Sequence, residues 1–277
     1  MNTTPFYKMN GCGNDFILID NRAGQVTGDP AGLARRVCRR KLSVGADGLI
    51  LIEGSERFDF QWRFYNADGS RAEMCGNGAR CAARLAHELG IAGPAMRFLT
   101  DAGPVEAQMR GDQVKVKMTP PSACRLEDTL ELAGGPVTVS SINTGVPHVV
   151  VEVAEQDEPS AADIVPVGRE IRYHAAFAPA GANVNFIYSP QAQRLQVRTY
   201  ERGVEDETLA CGTGCVAAAL VTAARRGWPS PIPVTTRSGG ILTIHFEREG
   251  EGFRGVYLEG DARIVYTGEI RPDALLV

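Results

Sequence analysis

Two cysteines of this chain stand in the same short phrase, Cys75-Gly76-Asn77-Gly78 and Cys211-Gly212-Thr213-Gly214. Each phrase runs into a small-residue, helix-forming stretch. A thiol at the start of a helix has its pKa lowered, and the thiolate is the reactive form. The unsatisfied backbone N–H groups at such a terminus bind carboxylates, and the glycines remove side chains that would block the approach. One phrase is therefore a carboxylate cradle with a base beside it. Two facing each other make a two-base site for inverting an amino acid at Cα. One thiolate takes the proton from one face while the other thiol gives a proton to the opposite face. Charge developing in the α-carboxylate would be stabilised electrostatically by the helix termini. A single cysteine is more often an ordinary buried residue; the matched pair is what argues for chemistry.

The elements that must position these cysteines repeat. The two phrases lie 136 positions apart, as do Gly45-Ala46-Asp47 and Gly181-Ala182-Asn183. Tyr65-Asn66 and Tyr200-Glu201, and the turns at Ala102-Gly103 and Gly239-Gly240, match at nearly the same offset and in the same order. A constant offset is the mark of an internal repeat. Strand patterns dominate: Phe58, Phe60, Trp62 and Phe64 alternate with polar neighbours, as do Val114, Val116 and Met118, and Leu195, Val197 and Thr199. Helices are expected at about 30–41, 78–89, 163–172 and 214–226. The one after Cys211 is apolar almost all round, as for a helix enclosed by sheet, and Gly90 is a natural C′ glycine for the one after Cys75. Thr119-Pro120-Pro121-Ser122 breaks the pattern near the middle and reads as a linker. Two related lobes follow, 1–118 and 119–262.

The rest of the composition narrows the class. The chain has 277 residues, 44% of them apolar, and a net charge of −4, which argues against a general nucleic-acid or membrane binder. The basic cluster Arg35, Arg36, Arg39, Arg40 and Lys41 follows Asp29-Pro30, a good N-cap and first-turn pair, and reads as the solvated face of a helix. No secretory leader or membrane-length apolar run is evident. Seven cysteines, an odd number without secretory context, speak for a cytoplasmic protein without a disulfide scaffold. Cys38, Cys81, Cys124 and Cys215 lack the setting of the matched pair and read as core or incidental. Cys12, inside Gly11-Cys12-Gly13-Asn14, also reads as structural.

Two other chemistries fit less well. Cys75 with Cys81, and Cys211 with Cys215, do not supply the paired Cys-x₂₋₄-Cys spacing of a zinc site, so no metal is expected. Gly212-Thr213-Gly214-Cys215-Val216-Ala217 matches a dinucleotide fingerprint. That fingerprint needs an apolar strand running into the glycines, whereas here Glu201 to Glu207 forms an acidic lead-in read as a loop.

On these motifs the sequence resembles the diaminopimelate epimerase family over essentially its whole length. The segments that carry the likeness are Gly13-Asn14-Asp15-Phe16, Gly45-Ala46-Asp47-Gly48, Asn66-Ala67-Asp68-Gly69-Ser70, Cys75 to Cys81, Pro147-His148, Ala182-Asn183, Tyr200-Glu201-Arg202-Gly203 and Ala210 to Gly214. Proline racemases share the two-cysteine plan but lack the Gly-Asn-Asp-Phe and Tyr-Glu-Arg-Gly phrases. The resemblance implies an α+β fold of two pseudo-symmetric strand-rich lobes, each wrapped around a central helix. A C-terminal strand at about 263–277 would return to the first lobe. It implies interconversion of LL- and meso-diaminopimelate without metal or organic cofactor. Cys75 and Cys211 would be the acid/base pair, with His148 and Glu201 tuning the thiols. Asn14, Asn66, Gly76, Asn77, Asn183, Glu201, Arg202, Gly212 and Thr213 would hold the substrate, an Arg fork suiting the distant carboxylate. The resemblance also implies a homodimer with Tyr266 at its interface. Two departures stand out. Many members have Gln at the position of Gly48, and many have Asn at that of Val146, for which this chain offers Asn143 three residues earlier. The alternatives are a racemase or epimerase for another amino acid on the same scaffold, and an amino-acid-binding protein without turnover.

Overall fold

The computed structural model describes residues 3–153 and 161–276. The chain divides into two compact units, residues 1–116 with 260–277, and residues 117–259.

In the first unit the strands lie side by side in the order Arg263–Ile270, Thr4–Gly11, Asn14–Asp20, Gly48–Glu53, Phe60–Asn66, Ala95–Thr100, Gly103–Arg110 and Gln113–Lys117. All neighbours are antiparallel except Asn14–Asp20 with Gly48–Glu53 and Phe60–Asn66 with Ala95–Thr100. Parallel neighbours need a crossover, and each crossover carries a helix: α1 (Pro30–Val37) and α2 (Gly76–Glu88). The two inner strands are apolar on both faces. Phe16, Leu18, Ile50 and Ile52 pack with Ala79, Ala82, Ala83, Leu85 and Ala86 of α2. Ile17, Ile19, Leu49 and Leu51 pack with Ala34 and Val37 of α1. Near-continuous hydrophobic strands are what a sheet covered on both sides requires.

The second unit repeats that pattern of directions. Its order is Ser122–Leu132, Gly135–Asn143, Pro147–Glu152, Asn183–Gln191, Arg194–Glu201, Ile232–Thr235, Ile241–Glu249 and Gly252–Asp261. The parallel neighbours are again the third with the fourth and the fifth with the sixth. Their crossovers carry α3 (Ala161–Arg172) and α4 (Gly212–Arg226). Val149, Val151, Val184, Phe186 and Tyr200 pack with Ile164 and Ile171 of α3. Helix α4 touches strands of this unit on several sides and is buried from Gly214 to Ala223. Helix α2 stands in the corresponding place in the first unit. The fold is thus the expected α+β arrangement of two strand-rich lobes of one pattern, each with a central helix.

Several local expectations shift. Helices α2 and α4 begin two residues earlier than their hydrophobic patterns suggest, because the glycines after each cysteine already lie inside the helix. Helix α1 ends at Val37 rather than near 41. The carbonyls of Val37 and Cys38 accept from Gly45 N at 2.9 Å and Ala46 N at 3.2 Å, so a returning loop closes that end. Arg39, Arg40 and Lys41 therefore lie beyond the helix, and Arg40 is engaged in ion pairs. The acidic lead-in to Cys211 is a hairpin, not a loop: Asp206–Thr208 pairs with Arg194–Glu201. Its Glu207 carboxylate is buried against Arg198 at 2.5 Å and also against Arg237.

Candidate active site

Cys75 and Cys211 are both N-cap residues, with extended backbone (φ −147°, ψ 120° and φ −119°, ψ 108°) leading into α2 and α4. The Cys75 sulfur accepts from Gly78 N at 3.5 Å, a capping contact at a terminus whose dipole favours negative charge. Cys211 makes no such capping bond; its sulfur lies 3.5 Å from the Thr213 hydroxyl. Gly76 and Asn77, and Gly212 and Thr213, are the first helical residues, so their N–H groups belong to the unsatisfied first turn. Gly78 is closely packed and Gly214 leaves no room for a side chain. A Cβ at 78 would sit 3.1 Å from Ile50 Cδ1, and one at 214 would overlap the Asn185 side-chain oxygen.

Around Cys75 the first unit assembles a polar network. Asn14 Nδ2 donates to Asp47 Oδ2 at 2.5 Å, which turns Asn14 Oδ1 toward the Cys75 sulfur at 3.7 Å and Asn77 Nδ2 at 3.5 Å. A carboxylate only accepts, so the orientation of this amide is settled by Asp47. Arg40 bridges Asp47 at 2.9 Å and Asp15 at 2.6 Å, and Lys8 pairs with Asp15 at 2.6 Å and also donates to Gly45 O. Burial alone would raise the Asp15 carboxyl, but the bonds from Arg40 and Lys8 outweigh it and hold it below its usual 3.8. Asn66 ends its strand in the turn to Ser70, donating to Ser70 Oγ at 3.0 Å, and the next residue's N–H reaches Asp47 O at 3.0 Å. Arg80, fully buried in α2, donates to Asn77 Oδ1 at 2.9 Å and to Asp261 O at 3.1 Å. Gly48 is buried with Phe64 Cε2 only 2.6 Å from where a Cβ would be. The side chain that many family members carry there has no space in this chain.

The second unit, which carries Cys211, holds a polar set of its own. His148 is paired in register with Asn183 across parallel strands, and Asn183 Oδ1 accepts from Arg202 N at 2.8 Å. Glu201, which the sequence placed in a charged loop, ends a strand and is part-buried. Burial raises its carboxyl above the usual 4.5, while the bond from Thr208 Oγ1 at 2.8 Å opposes that rise. His148 is 1% exposed inside the strand Pro147–Glu152. Burial, and secondarily the Arg202 charge, lower its imidazole from 6.5 to about 3, so it is neutral. Thr144, buried, donates from its hydroxyl to Thr213 O at 3.1 Å and so braces the start of α4. Asn143 Oδ1 accepts from Gly145 N at 2.9 Å, a local turn bond.

Residues not singled out from the sequence thus include Asp47, Lys8, Arg40, Arg80, Thr144, Thr208 and Asn185. Asn185 had a readable signal: it follows Asn183 by two, which puts both on one face of the strand. Arg80 and Thr208 lie close in sequence to Asn77 and Glu201, which they bond, whereas Asp47, Lys8, Arg40 and Thr144 are joined to the site by contacts from distant parts of the chain. Cys38, Cys81 and Cys215 are buried, Cys124 is exposed, and Cys12 is buried at a backbone φ of 57° with its N–H 3.3 Å from Asp261 Oδ1. Burial pushes the thiols of Cys38 and Cys81 up to about 12, which makes them inert at neutral pH. Among the described residues no group of three or more His, Cys, Asp or Glu is placed to hold a metal ion, and no helix is long and apolar enough to cross a membrane.

The family profile described as diaminopimelate epimerase matches residues 6–124 and 140–265. The diaminopimelate epimerase of Aquifex aeolicus (strain VF5) is 44% identical, covering 98% of this chain and 99% of that protein. That of Archaeoglobus fulgidus is 40% identical over 98% of this chain and 97% of its own length. Among solved structures, a phenazine biosynthesis protein of the PhzF family from Bacillus anthracis superposes with a TM-score of 0.75 at 16% identity, covering 98% of this chain and 100% of that one. A probable proline racemase from Agrobacterium radiobacter K84 superposes at 0.70 and 16% identity, covering 98% and 95%. Those two likenesses are of fold, whereas the sequence matches run the length of the chain through both cysteine phrases: the chain belongs to the diaminopimelate epimerase family.

Proposed function

We propose that this chain interconverts LL- and meso-2,6-diaminopimelate by proton transfer at Cα between Cys75 and Cys211, a step toward lysine and peptidoglycan precursors. The observation that supports this reading most directly is that both cysteines are N-caps of the central helices of two units built on one pattern of strands. Each N-cap puts a sulfur beside a first turn of unsatisfied N–H groups, the arrangement that both activates a thiol and binds a carboxylate. Gly76, Asn77, Gly212 and Thr213 would hold the reacting α-carboxylate through backbone groups. Asn14, Asn66, Asn183, Glu201 and Arg202 would receive the substrate's remaining amino and carboxylate groups. His148 and Glu201 lie in the second unit with Cys211 and would set the polar environment of the reaction.

The protein is further read as cytoplasmic and as a homodimer. Tyr266 and Val265 are exposed on the outer strand Arg263–Ile270, which suits an interface between copies. Sedimentation of the purified chain should give a dimer, and Tyr266→Asp should shift it toward monomer; a monomeric parent protein ends that reading.

The deciding assay incubates reduced, metal-free protein with LL-diaminopimelate in D₂O and follows stereochemistry and Cα deuterium together. Meso isomer whose label enters product ahead of recovered substrate is the expected result. The apolar side chain of Val146, where the family resemblance leads one to expect a polar group, favours a second reading, an epimerase for another amino acid. Conversion of other amino acids in place of diaminopimelate would establish that reading, and no turnover of any would leave a binding protein.

A further inference from the structure

His148 and Asn185 are both buried in the sheet of the second unit, and their hydrogen bonds determine where the imidazole proton sits. Asn185 Nδ2 lies 3.0 Å from Val149 O and 3.1 Å from His148 Nδ1, and Asn185 Oδ1 accepts from Thr199 Oγ1 at 3.0 Å. A backbone carbonyl only accepts, so the group facing Val149 O must be the amide NH₂. Its first hydrogen goes to that carbonyl and its second to His148 Nδ1. Nδ1 is then an acceptor without a proton, and the ring of a neutral histidine carries its proton on Nε2. That atom is buried and has no hydrogen-bond partner. A buried donor left unpaired is costly and calls for a partner or a functional explanation.

The surroundings hold this arrangement rigidly. Helix α4 passes so close above Asn185 that only glycine fits at 214, as the overlap of a Cβ there with Asn185 Oδ1 shows. The amide is thus wedged between the sheet and the helix that Cys211 caps. The charged group acting on the ring is Arg202, just beyond the end of strand Arg194–Glu201, and a cation opposes a second proton on the imidazole.

We propose that Asn185 is a positioning residue that holds His148 as a neutral Nε2–H donor to an anionic acceptor in the site, and that His148 does not carry the reacting proton. The inference rests on the reading of His148 as part of an epimerase site. The acceptor is an anion, either a cysteine thiolate or a substrate carboxylate. Loss of the donor should raise KM if the acceptor is a ground-state carboxylate, and lower kcat if it is an anion present during proton transfer.

The test labels the four histidines with ¹⁵N and identifies His148 by the signals lost in His148→Gln. The substrate-free wild-type ring should show a protonated Nε2 and a bare Nδ1, unchanged across roughly pH 5 to 8, where an ordinary histidine changes charge. In Asn185→Asp a carboxylate faces Nδ1, so Nδ1 should gain a proton or a titration should appear. Kinetically, glutamine keeps a neutral donor at the Nε2 position. His148→Gln should therefore stay within about tenfold of wild-type kcat/KM, while His148→Leu should fall by about 10²–10³, the usual cost of one preorganised donor. A wild-type ring protonated on Nδ1, or one that titrates in that range, overturns the proposal, as does a glutamine variant no better than leucine. If Asn185→Asp fails to fold, the wild-type spectrum and the His148 pair still decide. Full turnover by His148→Leu would remove His148 from the site, while the spectrum alone would still judge the part assigned to Asn185.

Discussion

A sulfur is a weak hydrogen-bonding atom, and what makes Cys75 and Cys211 chemically distinct from the other five cysteines is position. Cys38 and Cys81 are held as thiols by burial, whereas the two N-cap residues sit where helix dipoles and bare N–H groups favour an anion. Cys75→Ala and Cys211→Ala should each lower epimerisation by at least about 10²–10⁴-fold, the range for a positioned acid or base, with unchanged circular dichroism. Normal turnover by either purified variant would dismiss the two-base reading. His148 carries a pH signature of its own. Its imidazole falls from 6.5 to about 3 on folding, so below 6.5 the unfolded chain takes a proton that the folded chain refuses. The stability this group contributes is complete above 6.5 and is lost as pH falls toward 3. Urea titrations at several pH values should show wild type losing more stability on acidification than His148→Gln, and equal losses would contradict the neutral buried ring.

At the scale of elements, the central helices are held by close approach. Helix α4 meets Asn185 where Gly214 has no side chain, and α2 meets Ile50 at Gly78. The two contacts differ in what can yield. Ile50 Cδ1 is the end of a flexible side chain, whereas Asn185 is tied to Val149 O, His148 and Thr199. Gly214→Ala should therefore destabilise by about 1–3 kcal/mol, as overpacking does, and Gly78→Ala by less. Urea midpoints of the two variants compare them directly, and equal midpoints would argue against the wedge. Much at this scale was legible in the sequence. Small residues after each cysteine and period-2 alternation marked the central helices and strands. The ends were less so: the short α1 is closed by hydrogen bonds from Gly45 and Ala46, which no local pattern encodes.

At the scale of the molecule, each unit uses the same succession of strand directions, with a helix in each parallel crossover. In the first unit the leading place is filled by Arg263–Ile270, from the far end of the chain. Truncation after Ala262 would strip that strand from Thr4–Gly11 and should leave protein that is insoluble or loses cooperative unfolding; a folded, active truncation would show that the strand is dispensable. Were Cys75 and Cys211 the proposed acid/base pair on one substrate, oxidation would also be able to join them in a disulfide. Activity lost on mild oxidation should return with reductant, and peptide mapping should find Cys75 joined to Cys211; both recovered as thiols from inactive protein would refute it.

The sequence by itself determined the matched cysteine phrases, the constant offset between them and the hydrophobic periods of the elements. These are local patterns, written in residue type and spacing. Only the tertiary structure decided that Asp47 turns the Asn14 amide toward Cys75, that Gly48 leaves no room for a side chain, and that Asn185 fixes the proton on His148. Each depends on groups distant in the chain meeting at about 3 Å, where burial and the direction of a few hydrogen bonds decide which atom donates and which accepts.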